Sequence, residues 1–180
     1  MRPRAALPLL LALLGSAQAH PVDEVVQGAY LTLTPAGVEL ELDITPGSAV
    51  AASVSGSLDA DRNGTVTATE ARAYATRVLA AQTLTLDGTR ARWTLRDVQV
   101  PPLANLKLGS DTLKILATAP RTQRSGAHTL SYTNSYAPAK TQRVANIFLK
   151  PGGALSDRVT GQTRSADLTR LTVQFTTGRS

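Results

Sequence analysis

Between Val38 and Ile44 the chain alternates without a break, Val38, Leu40, Leu42 and Ile44 being interleaved with Glu39, Glu41 and Asp43. A period of two sends the apolar side chains to one face and the carboxylates to the other, which predicts a half-buried strand. Tyr30 to Thr34 precedes it, and Pro35-Ala36-Gly37 supplies the turn chemistry that joins the two segments into a hairpin. The acidic stripe reads as a solvated sheet face, with collection of cations as the alternative.

The same pattern returns at Leu84 and Leu86, followed by Asp87-Gly88, a favoured two-residue hairpin turn. Ala91, Trp93 and Leu95 then alternate with Arg92, Thr94 and Arg96. Further strands are predicted at Thr112 to Thr118, Thr129 to Asn134, Val144 to Leu149 and Leu171 to Phe175. Clusters such as Pro101-Pro102, Ser125-Gly126 and Pro151-Gly152-Gly153 separate them. About eight short strands at this spacing predict a mainly β chain, an antiparallel β-sandwich or incomplete barrel.

One region breaks the rhythm. Ala71, Tyr74, Ala75, Val78 and Leu79 recur at intervals of three and four, which predicts an amphipathic helix from about Ala68 to Gln82. Val50, Val54 and Leu58 form a stripe for a shorter helix after Pro46, weakly encoded because Gly47, Gly56 and three serines lower its propensity. The two helices make an insertion over about residues 46–82. There is no internal repeat and no low-complexity tract.

Residues 1–19 read as a secretory signal. Arg2 and Arg4 give a positive start, Ala5 to Leu14 an apolar stretch, and Ala17-Gln18-Ala19 a small-residue exit. Residues 20–180 then form a single β-rich domain beginning at His20 and destined for the periplasm, the cell envelope or the medium. No later apolar run approaches the roughly 18–20 residues that cross a bilayer. With no cysteine, neither disulfides nor thiolate metal sites are available.

Charge is unevenly spread. From His20 to Glu70 there are eight acids and one base, Arg62, whereas from Ala71 onward there are sixteen bases and five acids. Either the two halves face one another or are solvated, or a basic face serves an anionic partner such as a polysaccharide. Export and the scarcity of aromatics argue against nucleic acid.

The stretch Asp59-Ala60-Asp61-Arg62-Asn63-Gly64-Thr65-Val66-Thr67-Ala68-Thr69-Glu70 matches D-x-[DN]-x-[DN]-G-x5-E at every specified place. It resembles the EF-hand family, over the loop and its flanks. Ca²⁺ is a hard cation that takes six to eight oxygens. The resemblance implies side-chain oxygens from Asp59, Asp61 and Asn63, the backbone carbonyl of Thr65, Thr67 directly or through water, and a closing bidentate Glu70. It also implies that Val66 stands where EF-hands place an aliphatic residue to pair with a second hand, which this sequence lacks. The rest is similar in a general way to bacterial exported proteins that join a single EF-hand to a β-sandwich. A reading without an ion is an Asx-rich turn leading into a helix capped by Thr67 or Thr69.

Two other chemistries compete. Cleavage before His20 would set an α-amine beside an imidazole, and His128 could add a third nitrogen to make a brace for Cu(II). Alternatively His128, in phase with Leu130 and Tyr132, is a satisfied sheet residue. Nucleophilic triads are hard to assemble from two histidines, without G-x-S-x-G or cysteine, and Gly152-Gly153 lacks the rest of a phosphate loop. The sequence therefore predicts a non-enzymatic, calcium-binding exported protein. A copper-binding protein and an envelope adhesion or scaffold domain gripping an anionic polymer are the alternatives, and any protein partner is unspecified.

Overall fold

The structure, a computed structural model, describes residues 22–179. The leader, its cleavage site and His20 lie outside the described residues. Ten strands and three helices follow in the order β1 (Val25–Thr34), β2 (Gly37–Pro46), α1 (Ala51–Leu58), α2 (Ala68–Ala80), β3 (Gln82–Leu86), β4 (Thr89–Ala91), β5 (Thr94–Gln99), α3 (Leu103–Leu108), β6 (Leu113–Pro120), β7 (Gly126–Asn134), β8 (Thr141–Leu149), β9 (Leu155–Arg164) and β10 (Arg170–Arg179). Two five-stranded sheets, ordered β5-β6-β2-β1-β8 and β4-β3-β7-β10-β9, form a β-sandwich rather than a closed barrel. No helix among the described residues is long and apolar enough to cross a membrane.

The predicted hairpin is present as β1–β2, with Thr34 opposite Gly37 and Leu31 opposite Leu40. Leu31, Leu33, Val38, Leu40, Leu42 and Ile44 turn inward and are buried. Of the outward stripe, Glu41 and Asp43 both pair with Lys114 on the neighbouring β6. Burial raises the Asp43 carboxyl above its ordinary range, against the pull of Lys114. From the second sheet Leu84, Leu130, Tyr132, Leu171, Val173 and Phe175 complete the core, and Val54, Leu58, Tyr74, Val78 and Leu106 of the helices pack into it. Asp87-Gly88 forms the β3–β4 turn, with φ of 49° and 77°. Two consecutive positive values are what a type I′ turn requires, so Gly88 answers a real conformational need.

The fold departs from the expected pattern at four points. Ala91 to Leu95 is not one strand, since β4 pairs with β3 in one sheet and β5 with β6 in the other. The alternation persists across the switch, with Ala91, Trp93 and Leu95 half-buried and Arg92, Thr94 and Arg96 exposed. Side-chain period reports burial and is blind to which backbone supplies the hydrogen bonds. Second, the helix from Ala68 stops at Ala80, because Gln82 is already paired in β3 opposite Asn134. Third, β9 and α3 add to the predicted elements. β9 is an edge strand paired only with β10 and is mostly polar, which removes the apolar signal; α3 is a six-residue helix directly after Pro101-Pro102. Fourth, one pair departs from the antiparallel expectation: β1 and β8 run parallel, Val25 opposite Thr141 and Leu33 opposite Leu149.

Between the sheets lies a chain of buried polar groups. Asn134 donates to Gln27 Oε1 at 2.7 Å, Gln82 donates to Asn134 Oδ1 at 3.1 Å, and Tyr132 donates to Gln82 Oε1 at 2.6 Å. All four side chains are at most 3 % exposed, so each group depends on its neighbour for the bonds that water would otherwise supply. Asn134→Ala leaves both Gln27 and Gln82 short of a partner and is expected to cost about 2–4 kcal/mol in urea unfolding. Tyr132→Phe, which removes a single hydroxyl, is expected to cost about 1 kcal/mol. An Asn134→Ala chain as stable as the parent would mean these amides contribute nothing to joining the sheets.

Candidate metal centre

The 59–70 loop sits between α1 and α2, where the chain passes from the first sheet to the second. Each helix is held independently. Leu58 and Val54 anchor α1, and Tyr74, Ala75 and Val78 anchor α2, all at most 1 % exposed. The Arg77 guanidinium reaches across to donate to the Ser57 carbonyl at 2.7 Å, satisfying an orphan acceptor at the end of α1. α1 has no side-chain cap at its start, and Ser53 and Ser57 bond back to the carbonyls of Val50 and Ser53. That back-bonding fits the weak helical propensity of the segment.

Within the loop, backbone N–H groups converge on carboxylates. Asn63 N and Gly64 N donate to the two Asp59 oxygens, both at 3.1 Å. Asn63 N also donates to Asp61 Oδ1 at 3.1 Å, and the Asn63 amide donates to Asp61 Oδ2 at 2.7 Å. Thr65 N donates to Asn63 Oδ1 at 2.8 Å. These bonds wind the chain so tightly that Gly64 takes φ of 86° and Arg62 φ of 60°. At Gly64 the absence of a Cβ makes that conformation inexpensive.

Glu70 closes the loop from the first turn of α2. Its Oε1 accepts from Ala60 N at 2.9 Å and Asp61 N at 3.4 Å, while its Oε2 accepts from Thr67 N at 2.9 Å and Thr67 Oγ1 at 2.8 Å. Thr67 Oγ1 accepts from Glu70 N at 3.2 Å, completing a capping box. The bonds from Thr67, then those from Asp61 and Ala60, hold the Glu70 carboxyl below the ordinary carboxylate range.

One oxygen from each of Asp59, Asp61 and Glu70 lies within 4.8 Å of the others. Ligands on a single Ca²⁺, at roughly 2.3–2.6 Å each, stand at most about 5 Å apart, so the three carboxylates fit one such ion. Asp59 is buried, Asp61 exposed and Glu70 between. Among the described residues no salt bridge reaches any of the three. The Thr65 carbonyl accepts no hydrogen bond there either, leaving it available as an oxygen ligand. Asn63 contributes its oxygen to the same turn, and the Thr67 hydroxyl is engaged in the cap. No family model, curated protein or solved structure matches the chain.

His128 has a different setting. Nδ1 lies 2.7 Å from Asp87 Oδ2 and Nε2 lies 2.8 Å from the Arg124 carbonyl. Both partners are acceptors, so the ring satisfies both only when both nitrogens carry protons. Both nitrogens are thus engaged in hydrogen bonds within the fold, and the other member of the expected copper brace, His20, lies outside the described residues. Asp87 appeared in the sequence only as a turn former. Its oxygens accept from Thr129 N at 2.8 Å as well as from His128, and the two bonds depress its carboxyl.

The Asp87 hydrogen bond, with smaller help from the Arg124 carbonyl, raises the His128 pKa above 6.5. The folded state therefore binds this proton more tightly than the unfolded chain does. Its stabilising effect is complete below the unfolded value and is lost as pH rises through the folded one. NMR titration of the imidazole is expected to give a value above 6.5 that falls on Asp87→Asn. A value at or below the ordinary one in the parent chain would refute the pair.

Proposed function

We propose that this chain binds one Ca²⁺ in the 59–70 loop and that the ion orders the α1–loop–α2 insertion on the β-sandwich, without catalysis. The observation that carries the reading is the convergence of the Asp59, Asp61 and Glu70 oxygens within 4.8 Å. Three like charges so placed repel one another unless a cation stands between them. Backbone N–H groups soften that repulsion without cancelling it.

In this reading Asp59, Asp61 and Asn63 supply side-chain oxygens, Thr65 its carbonyl, Thr67 a hydroxyl or a bridging water, and Glu70 both carboxylate oxygens. The loop ends are already held by packing and by Arg77, so the ion does not have to fold the helices. It has to draw in Asp61 and Glu70, which are less buried than Asp59. Ordering a loop on binding weakens affinity, as in extracellular modules with dissociation constants of about 10⁻⁴ to 10⁻³ M. Such affinity suits an exported protein, the destination that residues 1–19 suggest.

Calorimetry is expected to show one Ca²⁺ per chain in that range, with Mg²⁺ competing poorly because its short octahedral bonds use a bidentate carboxylate badly. Free Ca²⁺ at about 100 times the dissociation constant should add roughly 2.7 kcal/mol to stability. Glu70→Gln and Asp59→Ala should each abolish most of that gain. No Ca²⁺ heat at several millimolar, with a melting temperature indifferent to chelator, would leave the loop as a capped Asx-rich turn and overturn the proposal.

A further inference from the structure

A cleft of about 700 Å³ opens where the chain crosses from β4 to β5, between the β3–β4 hairpin and the loop joining β6 to β7. Leu86, Ala91, Pro120 and Phe175 give it an apolar lining, and its charged groups come from separate stretches of chain: Asp87, Arg90 and Arg92 from the first, Arg121, Arg124 and His128 from the second. Two of these cations are already matched. Arg121 pairs with Asp157, both almost completely buried, and donates to the Thr34 carbonyl at 2.6 Å; His128 pairs with Asp87. Arg90, Arg92 and Arg124 are exposed, and among the described residues no carboxylate pairs with any of them.

We infer that this cleft is a binding site for a phosphate monoester on a small, sugar-sized body. Arg90, Arg92 and Arg124 line this concavity without a carboxylate partner, Arg90 and Arg92 also bordering a neighbouring cleft, and like charges so placed repel each other. Low-dielectric walls focus such a field, so the cleft favours an anion of more than one charge. The planar fork of arginine donates two parallel hydrogen bonds to a phosphate, a geometry that a lysine ammonium does not offer. The cleft volume falls in the range of small-molecule sites, roughly 300–1,000 Å³, and is several times what a bare phosphate ion needs. The apolar floor gives the remainder of the ligand something to cover. Arg121 and His128, each fixed by a carboxylate, hold the walls rather than the ligand.

The site is independent of the 59–70 loop, so success or failure of calcium binding leaves this inference untouched. Calorimetry and NMR shift mapping with ribose 5-phosphate, inorganic phosphate and ribose test it. Ribose 5-phosphate is expected to bind and to shift the Arg90, Arg92 and Arg124 signals. Inorganic phosphate should bind about tenfold more weakly, and ribose not measurably. Arg90→Ser with Arg124→Ser should weaken ribose 5-phosphate about tenfold or more. The double change Arg72→Ser with Lys107→Ser removes the same charge from exposed helix positions outside the cleft and should leave affinity within about twofold. These four residues are exposed, and matching circular dichroism spectra would confirm that both doubles fold. No binding of ribose 5-phosphate at millimolar concentration overturns the inference. So does an equal loss in the two doubles, which would mean diffuse attraction to a basic surface, or equal affinity for inorganic phosphate and the ester.

Discussion

The chain of buried amides through Gln27, Asn134 and Gln82 is the constraint on which the arrangement of the molecule depends. Gln27 belongs to β1 in one sheet and Asn134 to β7 in the other, so their hydrogen bond fixes how the two sheets face each other. Apolar contacts alone define such a pairing loosely, because many offsets bury similar area. Polar groups that have lost water tolerate few of those offsets. Gln82 extends the chain to the start of β3 and donates as well to the Val78 carbonyl in the last turn of α2 at 3.1 Å. The sheets and the helical insertion thus share one hydrogen-bonded junction.

Tyr74 makes a second tie from the same helix, its hydroxyl 2.8 Å from that of Tyr136, with the rings edge to face. Burial lifts the Tyr136 hydroxyl above its ordinary range, and that of Tyr74 further, so the pair stays neutral at any physiological pH. α2 is therefore registered from its middle and its C-terminal end. Its N-terminal turn, carrying Thr67 and Glu70, is presented to the 59–70 loop by contacts that do not involve the loop. This is why an ion there would tune stability locally while the sandwich persists without it.

What could be read from the sequence follows from which interactions are local. The β1–β2 and β3–β4 hairpins, the start of α2 and the whole 59–70 turn are specified by neighbours within a dozen residues, and each is found at its expected position. The sandwich class was legible too, since it follows from many short alternating segments. Sheet membership was not. Trp93 and Leu95 continue the alternation of Ala91 while the backbone changes partner, and nothing near Thr141 announces a parallel neighbour more than a hundred residues away. The burial of Gln27, Gln82 and Asn134 was not legible, because it depends on their meeting one another across the fold. The Arg90, Arg92 and Arg124 group was hidden for the same reason, whereas the three carboxylates of the loop were legible because one short motif holds them.

The division into an acidic and a basic half also resolves in space. Lys114 meets Glu41 and Asp43, Lys140 meets Asp23 and Glu24, and Lys150 stands 3.9 Å from Glu39. These are pairs between the two halves, mostly exposed, so solvent and salt screen them and they add little to stability. Their significance lies in what they leave over. Outside the cross-half pairs, Asp59, Asp61 and Glu70 form a compact negative group and Arg90, Arg92 and Arg124 line one cleft, while other exposed bases such as Arg62, Arg96, Arg158 and Arg179 also lack a carboxylate partner among the described residues. Neither cluster meets the other, and neither is neutralised by a salt bridge among the described residues. Each group repels itself, so neither contributes favourable electrostatics to the fold on its own. Kept apart on the fold, the two groups set up local fields of opposite sign, one attracting cations at the 59–70 loop and one attracting anions at the cleft beside β4.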